Sequence, residues 1–151
     1  MGYLRNAMKQ DMELLFDWAN EDLVRKNAFS TEKISYEDHK KWFRNLLSRD
    51  DVRQYIYVDN DENVGQVRVT VEGLSAEIDY SVCSKKRDRG YGKEMIHLLA
   101  EQVRKDFPEV KRLVAKVKPE NAASSKVFLD SGYVEKYRFY ELEMDLSGNI
   151  E

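Results

Sequence analysis

One cysteine, Cys83, and two histidines in 151 residues leave too few ligands for an internal disulfide or a Cys/His zinc site. No metal is expected, and such sparing use of cysteine points to the reducing cytoplasm. Only two prolines and seven glycines are present, and no Ser/Pro/Gly linker, low-complexity tract or internal repeat divides the chain. No apolar run approaches the roughly 20 residues needed to cross a bilayer, so no membrane partner is expected. The start, MGYLRNAMKQ, lacks a signal-peptide apolar block and carries Asn6 where myristoylation favours Ser or Thr. Neither sign of charge dominates: 25 Lys+Arg stand against 28 Asp+Glu, a net charge of −3, with no second basic stripe of the kind a nucleic acid needs.

What is present is ample apolar material. At 42% hydrophobic residues, a chain of this length buries a core as one domain, read as residues 1–146 with a polar tail, 147–151. Asp11 precedes Met12–Asn20, where Leu14, Leu15 and Trp18 recur at helical spacing. Ser35-Tyr36-Glu37-Asp38 reads as a capping box opening a second helix, with Trp42, Phe43, Leu46 and Leu47 on one face. Val52–Val58, an Asp59–Asn63 turn, and Val64–Val71 follow as strands. A third begins after Gly73, where Ala76, Ile78, Tyr80 and Val82 alternate with Glu77, Asp79 and Ser81. From Gly90 the period turns helical through Met95, Leu98, Leu99 and Val103 and ends by Pro108. Leu113–Val117 reads as a strand, Asn121 caps a helix through Ser131, and Gly132 sits where helices end left-handed. Alternation of Tyr140, Leu142, Met144 and Leu146 with Phe139, Glu141, Glu143 and Asp145 predicts a final hairpin. The order is ααβββαβα then ββ: an α+β, or mixed α/β, domain with a central, mostly antiparallel sheet.

The segment Ser84–Lys93 carries five cations and one anion between a strand and a helix. A glycine-bearing loop at a helix N-terminus gathers backbone N–H groups and the positive end of the helix dipole, which suits a pyrophosphate. Judged alone, it is also read as a solvated turn. It is neither a Walker loop, since no Gly-x-x-x-x-Gly-Lys-Ser/Thr occurs, nor a dinucleotide fingerprint, since Met95 stands where the third glycine belongs.

Arg87-Asp88-Arg89-Gly90-Tyr91-Gly92 resembles the acetyl-CoA loop, Gln/Arg-x-x-Gly-x-Gly/Ala, of the GCN5-related N-acetyltransferase (GNAT) family. The block Val117–Phe128 with Ser131-Gly132-Tyr133 is similar to that family's strand, Asn-led helix and Gly-aromatic ending. The resemblance implies a GNAT fold and an acetyl-CoA cosubstrate in a splay between strands ending near Val82 and Val117. It places Val82 and Ser84 on the pantetheine, and Arg87, Asp88, Arg89, Gly90, Tyr91, Gly92 and Lys93 around the pyrophosphate. Asn121, Ser124 and Phe128 complete the cofactor side, although Asn121 also reads as a plain N-cap.

Acetyl transfer to an amine needs a base, because an alkyl ammonium has a reference pKa of about 10.4. Glu77 is the first candidate by the family's pattern. Glu77, Asp79 and Ser81 are alternatively the solvated face of a half-buried strand. A backbone N–H near Val82 would meet the developing oxyanion. The tyrosine that protonates the departing thiolate in many relatives is Phe128 here, leaving Tyr133 and Tyr140 as the nearest replacements, with Tyr133 also read as packing. Cys83 has no neighbouring His to activate it as a nucleophile.

The leading helices, through Glu13–Asn20, Val24–Ser30 and Ile34 to Phe43, resemble a GNAT subgroup that acetylates an amine on nucleotide-linked deoxyamino sugars, including enzymes of pseudaminic acid biosynthesis. Trp18, Asn27, Phe29, His39 and Asp79 are the acceptor-pocket candidates on that reading. The expected partner is a small-molecule amine. A protein N-terminal or lysine acetyltransferase and a non-catalytic acyl-CoA-binding module remain alternatives. The final hairpin and strand edges are compatible with a homodimer, though no feature requires one.

Overall fold

A computed structural model describes residues 2–145. Five strands form one sheet in the order β1 (Tyr3–Asn6), β2 (Val52–Asp59), β3 (Glu62–Glu72), β4 (Ser75–Val82) and β5 (Arg112–Val114). β1 to β4 pair antiparallel and β5 joins β4 in parallel. The helices are α1 (Met12–Ala19), α2 (Asp22–Asn27), α3 (Tyr36–Leu47), α4 (Tyr91–Asp106) and α5 (Ala122–Asp130).

Period-2 alternation divides the sheet into two faces, each closed by helices. One face joins Tyr55, Tyr57, Val67, Val69, Ala76 and Ile78 to Met95, Ile96, Leu99 and Val103 of α4 and Phe128 of α5. The other sets Val52, Ile56 and Val58 against Leu15 and Trp18 of α1 and Phe43 and Leu46 of α3. The local signals act as the sequence predicts. Ser35 Oγ accepts from the Asp38 N–H at 3.1 Å, Asn60 and Asp61 turn with positive φ between β2 and β3, and Gly132 ends α5 at φ +92. Among the described residues no helix is long and apolar enough to cross a membrane.

Three features differ from expectation. β1 is a four-residue edge strand, YLRN, too short to display an alternation. The connection after α1 holds a third leading helix, α2, of six residues, short enough for periodicity to miss. The final hairpin does not form: 133–145 takes no strand pairing. Residues 134–145 contain no Gly, Pro or Asn to turn the chain, so the segment has the alternation of strands but not the chemistry of a hairpin. Leu146 and the tail 147–151 lie outside the described residues.

Candidate active site

The parallel pairing of β4 with β5 lasts only three residues, from Ser75↔Arg112 to Glu77↔Val114. Beyond it the strands diverge, and Asp79–Val82 on one side and Ala115–Val117 on the other line a cleft of about 900 Å³. Past Glu77 the outer edge of β4 has no strand beside it among the described residues, so its outward N–H and C=O groups face the cleft.

The basic loop closes one end. Asp88 (φ 65) and Gly90 (φ 82) are both left-handed, which turns the chain sharply into α4. No side chain caps that helix, so the N–H groups of its first turn are open to an anion. A Cβ on Gly92 would stand 3.4 Å from Tyr80 Cε2 and 3.5 Å from Val127 Cγ2; glycine keeps this wall low enough for a phosphate to approach backbone. Tyr91 donates its hydroxyl to Asp59 at 2.7 Å, and Lys86 pairs with Glu62 at 2.7 Å.

The acceptor end lies on the opposite sheet face, beneath α3. A polar chain crosses it: Gln54 Nε2 donates to Gln66 Oε1 at 2.7 Å, and Gln66 Nε2 donates to Asp79 Oδ2 at 3.2 Å and Ser81 Oγ at 3.3 Å. Both glutamines are buried. Arg68 lies 5.1 Å over the Trp42 ring and 3.5 Å from Asp79. His39 is buried, its Nε2–H donating to the Met12 carbonyl at 3.0 Å. Burial lowers its pKa against the opposing pull of that bond, which keeps the imidazole neutral.

Residues 3–134 match the family model described as an acetyltransferase (GNAT) domain. The chain belongs to this family. As a GNAT domain it is an acetyl-CoA-dependent N-acetyltransferase, and its mixed α/β architecture is the GNAT fold. Solved structures agree on the fold. A domain from Methanocaldococcus jannaschii shares 22% identity at TM-score 0.80, covering 93% of both chains. Spermidine N-acetyltransferase from Vibrio cholerae, in complex with CoA and spermine, shares 16% at TM-score 0.81, over 90% of this chain and 82% of that one. Aminoglycoside acetyltransferase AAC(6')-Ib, in complex with coenzyme A, shares 18% at TM-score 0.77, over 90% and 86%. No curated protein matches the chain.

Most of the expected acetyl-CoA residues meet in the cleft of this GNAT domain: Val82, Arg87, Asp88, Gly90, Tyr91, Gly92, Lys93, Asn121, Ser124 and Phe128 line it, as do Asn27, Phe29, His39 and Asp79. Arg87 is already engaged, donating from Nε to the Val82 carbonyl at 3.0 Å and from Nη2 to Glu21 at 2.7 Å. These bonds tie the loop to the end of β4 and to Glu21. Asn121 caps α5, Oδ1 accepting from the Ser124 N–H at 3.1 Å, so the cap and the cleft position are both real.

Five expected residues lie outside the lining. Glu77 stands at the last β4–β5 pair, before the splay opens, with its carboxylate 3.7 Å from Lys116. Tyr133 is packed edge-on against Phe128, ring centroids 5.0 Å apart, and its buried hydroxyl has no partner among the described residues. Burial pushes its pKa up to about 12. Trp18 is core on α1, and Ser84 and Arg89 are exposed, with the Ser84 N–H directed to Glu21 at 3.3 Å.

Two features of the site's surroundings escaped the sequence reading. Glu21, at the α1–α2 junction, clamps both Arg87 and Ser84, a contact across more than sixty residues that no local pattern signals. Tyr80 presents its hydroxyl 3.0 Å from Ser124 Oγ and its ring edge-on to Phe128. The alternation that marked Tyr80 as core-facing carried no hint that this face opens into the cleft.

Proposed function

We propose that this domain acetylates a primary amine on a small molecule that also carries an anionic or planar group, a nucleotide-linked deoxyamino sugar, with Asp79 as the base. Asp79, at the acceptor end of the cleft and held there by Gln66 and Arg68, is the observation that carries the reading. Glu77, the base candidate in the sequence, is off the lining, whereas Asp79, read there as an acceptor-pocket residue, is on it.

Each chemical requirement has a candidate. Asp79 takes the proton from the ammonium, directly or through one water. The freed nitrogen lone pair attacks the thioester carbonyl carbon; the C–N bond forms, the C–S bond breaks, and the thiolate departs. Backbone N–H groups on the outer edge of β4 near Val82 face the developing oxyanion. Tyr80, the cleft hydroxyl beside Phe128, protonates the thiolate in place of a tyrosine at 128. Burial raises the pKa of Tyr80 while its bond to Ser124 opposes the rise, so the group is protonated at neutral pH and able to donate.

The charge of the cleft supports this acceptor class. The cleft lining holds Arg25, Arg68, Arg87, Lys93, Lys116 and Lys126 against Asp38, Asp79, Asp88 and Asp130, a poor field for a polycation. The spermidine and aminoglycoside enzymes of similar fold act on polycations; this lining favours one amine on a molecule with a phosphate or base to meet Arg68 and Trp42. Asn27 and Phe29 stand at the mouth to contact hydroxyls and ring faces.

Mass spectrometry with acetyl-CoA and a panel of nucleotide-linked amino sugars, free amino sugars, polyamines and peptides tests the acceptor. Acetyl gain on the nucleotide-linked sugars supports the assignment; gain on peptides or polyamines alone replaces it. For the base, Asp79→Asn is expected to lower the rate about 10²–10⁴-fold near neutral pH and to recover as pH rises toward the amine's own pKa. Equal impairment at every pH removes Asp79 from proton transfer.

A further inference from the structure

Lys118 follows the cleft wall 115–117 and reaches a segment about ninety residues earlier in the chain. Its Nζ donates to the Lys26 carbonyl at 2.9 Å and to the Ala28 carbonyl at 2.8 Å, and Glu120 stands 3.8 Å away. The side chain is only 19% exposed, low for a lysine, which stays in water unless it is paired. The two carbonyls close α2, a helix of six residues. The last carbonyls of a helix have no partner within it, and the negative end of its dipole favours a cation. Such a helix needs outside support, since isolated helices shorter than about 12–15 residues are marginal in water.

Each end of this bridge belongs to the cleft. The accepting carbonyls flank Asn27 and precede Phe29, and Asn27, Ala28 and Phe29 line the cavity. The remainder of that connection is fastened to α1. Arg25 donates from Nε to the Ala19 carbonyl at 2.7 Å and from Nη1 to the Ser30 carbonyl at 3.0 Å, and Asn20 Oδ1 accepts from the Ile34 N–H at 2.8 Å. On the other side the Lys118 carbonyl accepts from the Asn121 N–H at 2.9 Å, which joins it to the cap of α5, and Val117, Asn121 and Ser124 also line the cavity. β5, which begins this arm, is paired to the sheet over three residues, a short attachment of the kind that opens locally. Opening breaks the bridge, and a ligand seated against the arm favours the closed form.

We propose that Lys118 is a positioning residue for the acceptor: it carries the seating of acetyl-CoA on the α5 side of the cleft to the end of α2, and sets Asn27 and Phe29 in place there. That Asn27 and Phe29 meet the acceptor rests on the function proposed above, whereas the bridge and its response to the cofactor do not. Lysine suits the task because one ammonium supplies a donor to each carbonyl, while methionine, of similar length, supplies none.

Hydrogen–deuterium exchange on the full chain, free and with saturating coenzyme A, tests the bridge; coenzyme A fills the cofactor side and brings no acetyl group to transfer. Coenzyme A is expected to slow the amides of residues 25–28 at least about fivefold in the unsubstituted protein. In Lys118→Met that slowing is expected to vanish while the first turn of α4 is still protected, and in Lys118→Arg, which keeps a charged donor, it is expected to return. Arg25→Met loosens the same segment without removing the bridge, so faster exchange there is expected to keep its response to coenzyme A. Amides 25–28 that ignore coenzyme A in the unsubstituted protein overturn the proposal, as does slowing that survives in Lys118→Met or fails to return in Lys118→Arg. Loss of the response in Arg25→Met as well makes Lys118 a structural tie and overturns it too. None of these readouts involves an acceptor, so failure here leaves the acceptor assignment standing, and failure of that assignment leaves the bridge.

Discussion

Replacing Glu21 by glutamine is expected to weaken acetyl-CoA binding by loosening the loop that Glu21 ties down through Arg87 and Ser84. The Glu21–Arg87 pair spans 2.7 Å with side chains 20% and 25% exposed, between the exposed limit, where a pair contributes about 0–1 kcal/mol, and the buried limit, where breaking one costs about 3–5 kcal/mol. A cost of about 2 kcal/mol is therefore expected. If all of it is expressed as lost order in the loop, acetyl-CoA binds roughly 30-fold more weakly. If it appears as lost global stability instead, the melting temperature falls by about 4–8 °C for a domain of this size. Titration calorimetry with acetyl-CoA and a thermal scan on the same sample separate the two. Arg87→Met and the double variant complete a cycle, with a coupling of at least about 1 kcal/mol expected. An affinity within twofold of the unsubstituted protein, or a coupling near zero, refutes the claim that Glu21 holds the loop in its binding conformation.

Gly92→Trp is expected to abolish acetyl-CoA binding, because an indole at that position enters the space between Tyr80, Val127 and the α4 N-terminus; unchanged affinity in calorimetry removes the pyrophosphate from that turn. Leu99→Ala, at a fully buried position beneath the sheet, is expected to cost about 2–5 kcal/mol in urea unfolding, and a loss under about 1 kcal/mol places Leu99 outside the core. The lowered pKa of His39 predicts a stability full above its unfolded value of about 6.5 and lost as pH falls below it toward the folded value, since only the unfolded chain takes up the proton there. His39→Gln is expected to flatten the decline in chemical denaturation at pH 5–7, and an unchanged slope excludes His39 as its source.

The sequence made most of this domain legible because the information was local. The Ser35 and Asn121 caps, the Asn60-Asp61 turn and the amphipathic period of α4 each act within a few residues, and each is found where its chemistry requires. The loop at the α4 end of the cleft was legible for a similar reason: a glycine-bearing turn into a helix is specified by adjacent residues. Relations between distant segments were harder to read. Glu77 and Asp79 share a face and differ by one strand step, and only the point where β5 leaves β4 decides which of them meets the cleft. Trp18 has the residue type of a pocket, yet the packing of α1 on α3 takes it into the core, while His39 lines the cleft with its Nε2 fixed to a backbone carbonyl. The C-terminal alternation predicts strands, yet 133–145 takes no strand pairing, because alternation alone supplies neither a turn nor a partner.

The brief β4–β5 pairing also governs how the backbone exchanges hydrogen with solvent. An ordinary sheet interior protects its amides on both sides, whereas the outward amides of residues 78–82 open onto the cleft and have no strand to shield them. They are expected to form a fast-exchanging stripe bordered by slower amides of β3 and the first half of β4. An extended ligand bearing its own amide groups fits that stripe as a length of missing strand. Hydrogen–deuterium exchange would then slow along β4 on binding, and occupancy would be recorded in the sheet itself, residue by residue, without any helix needing to move.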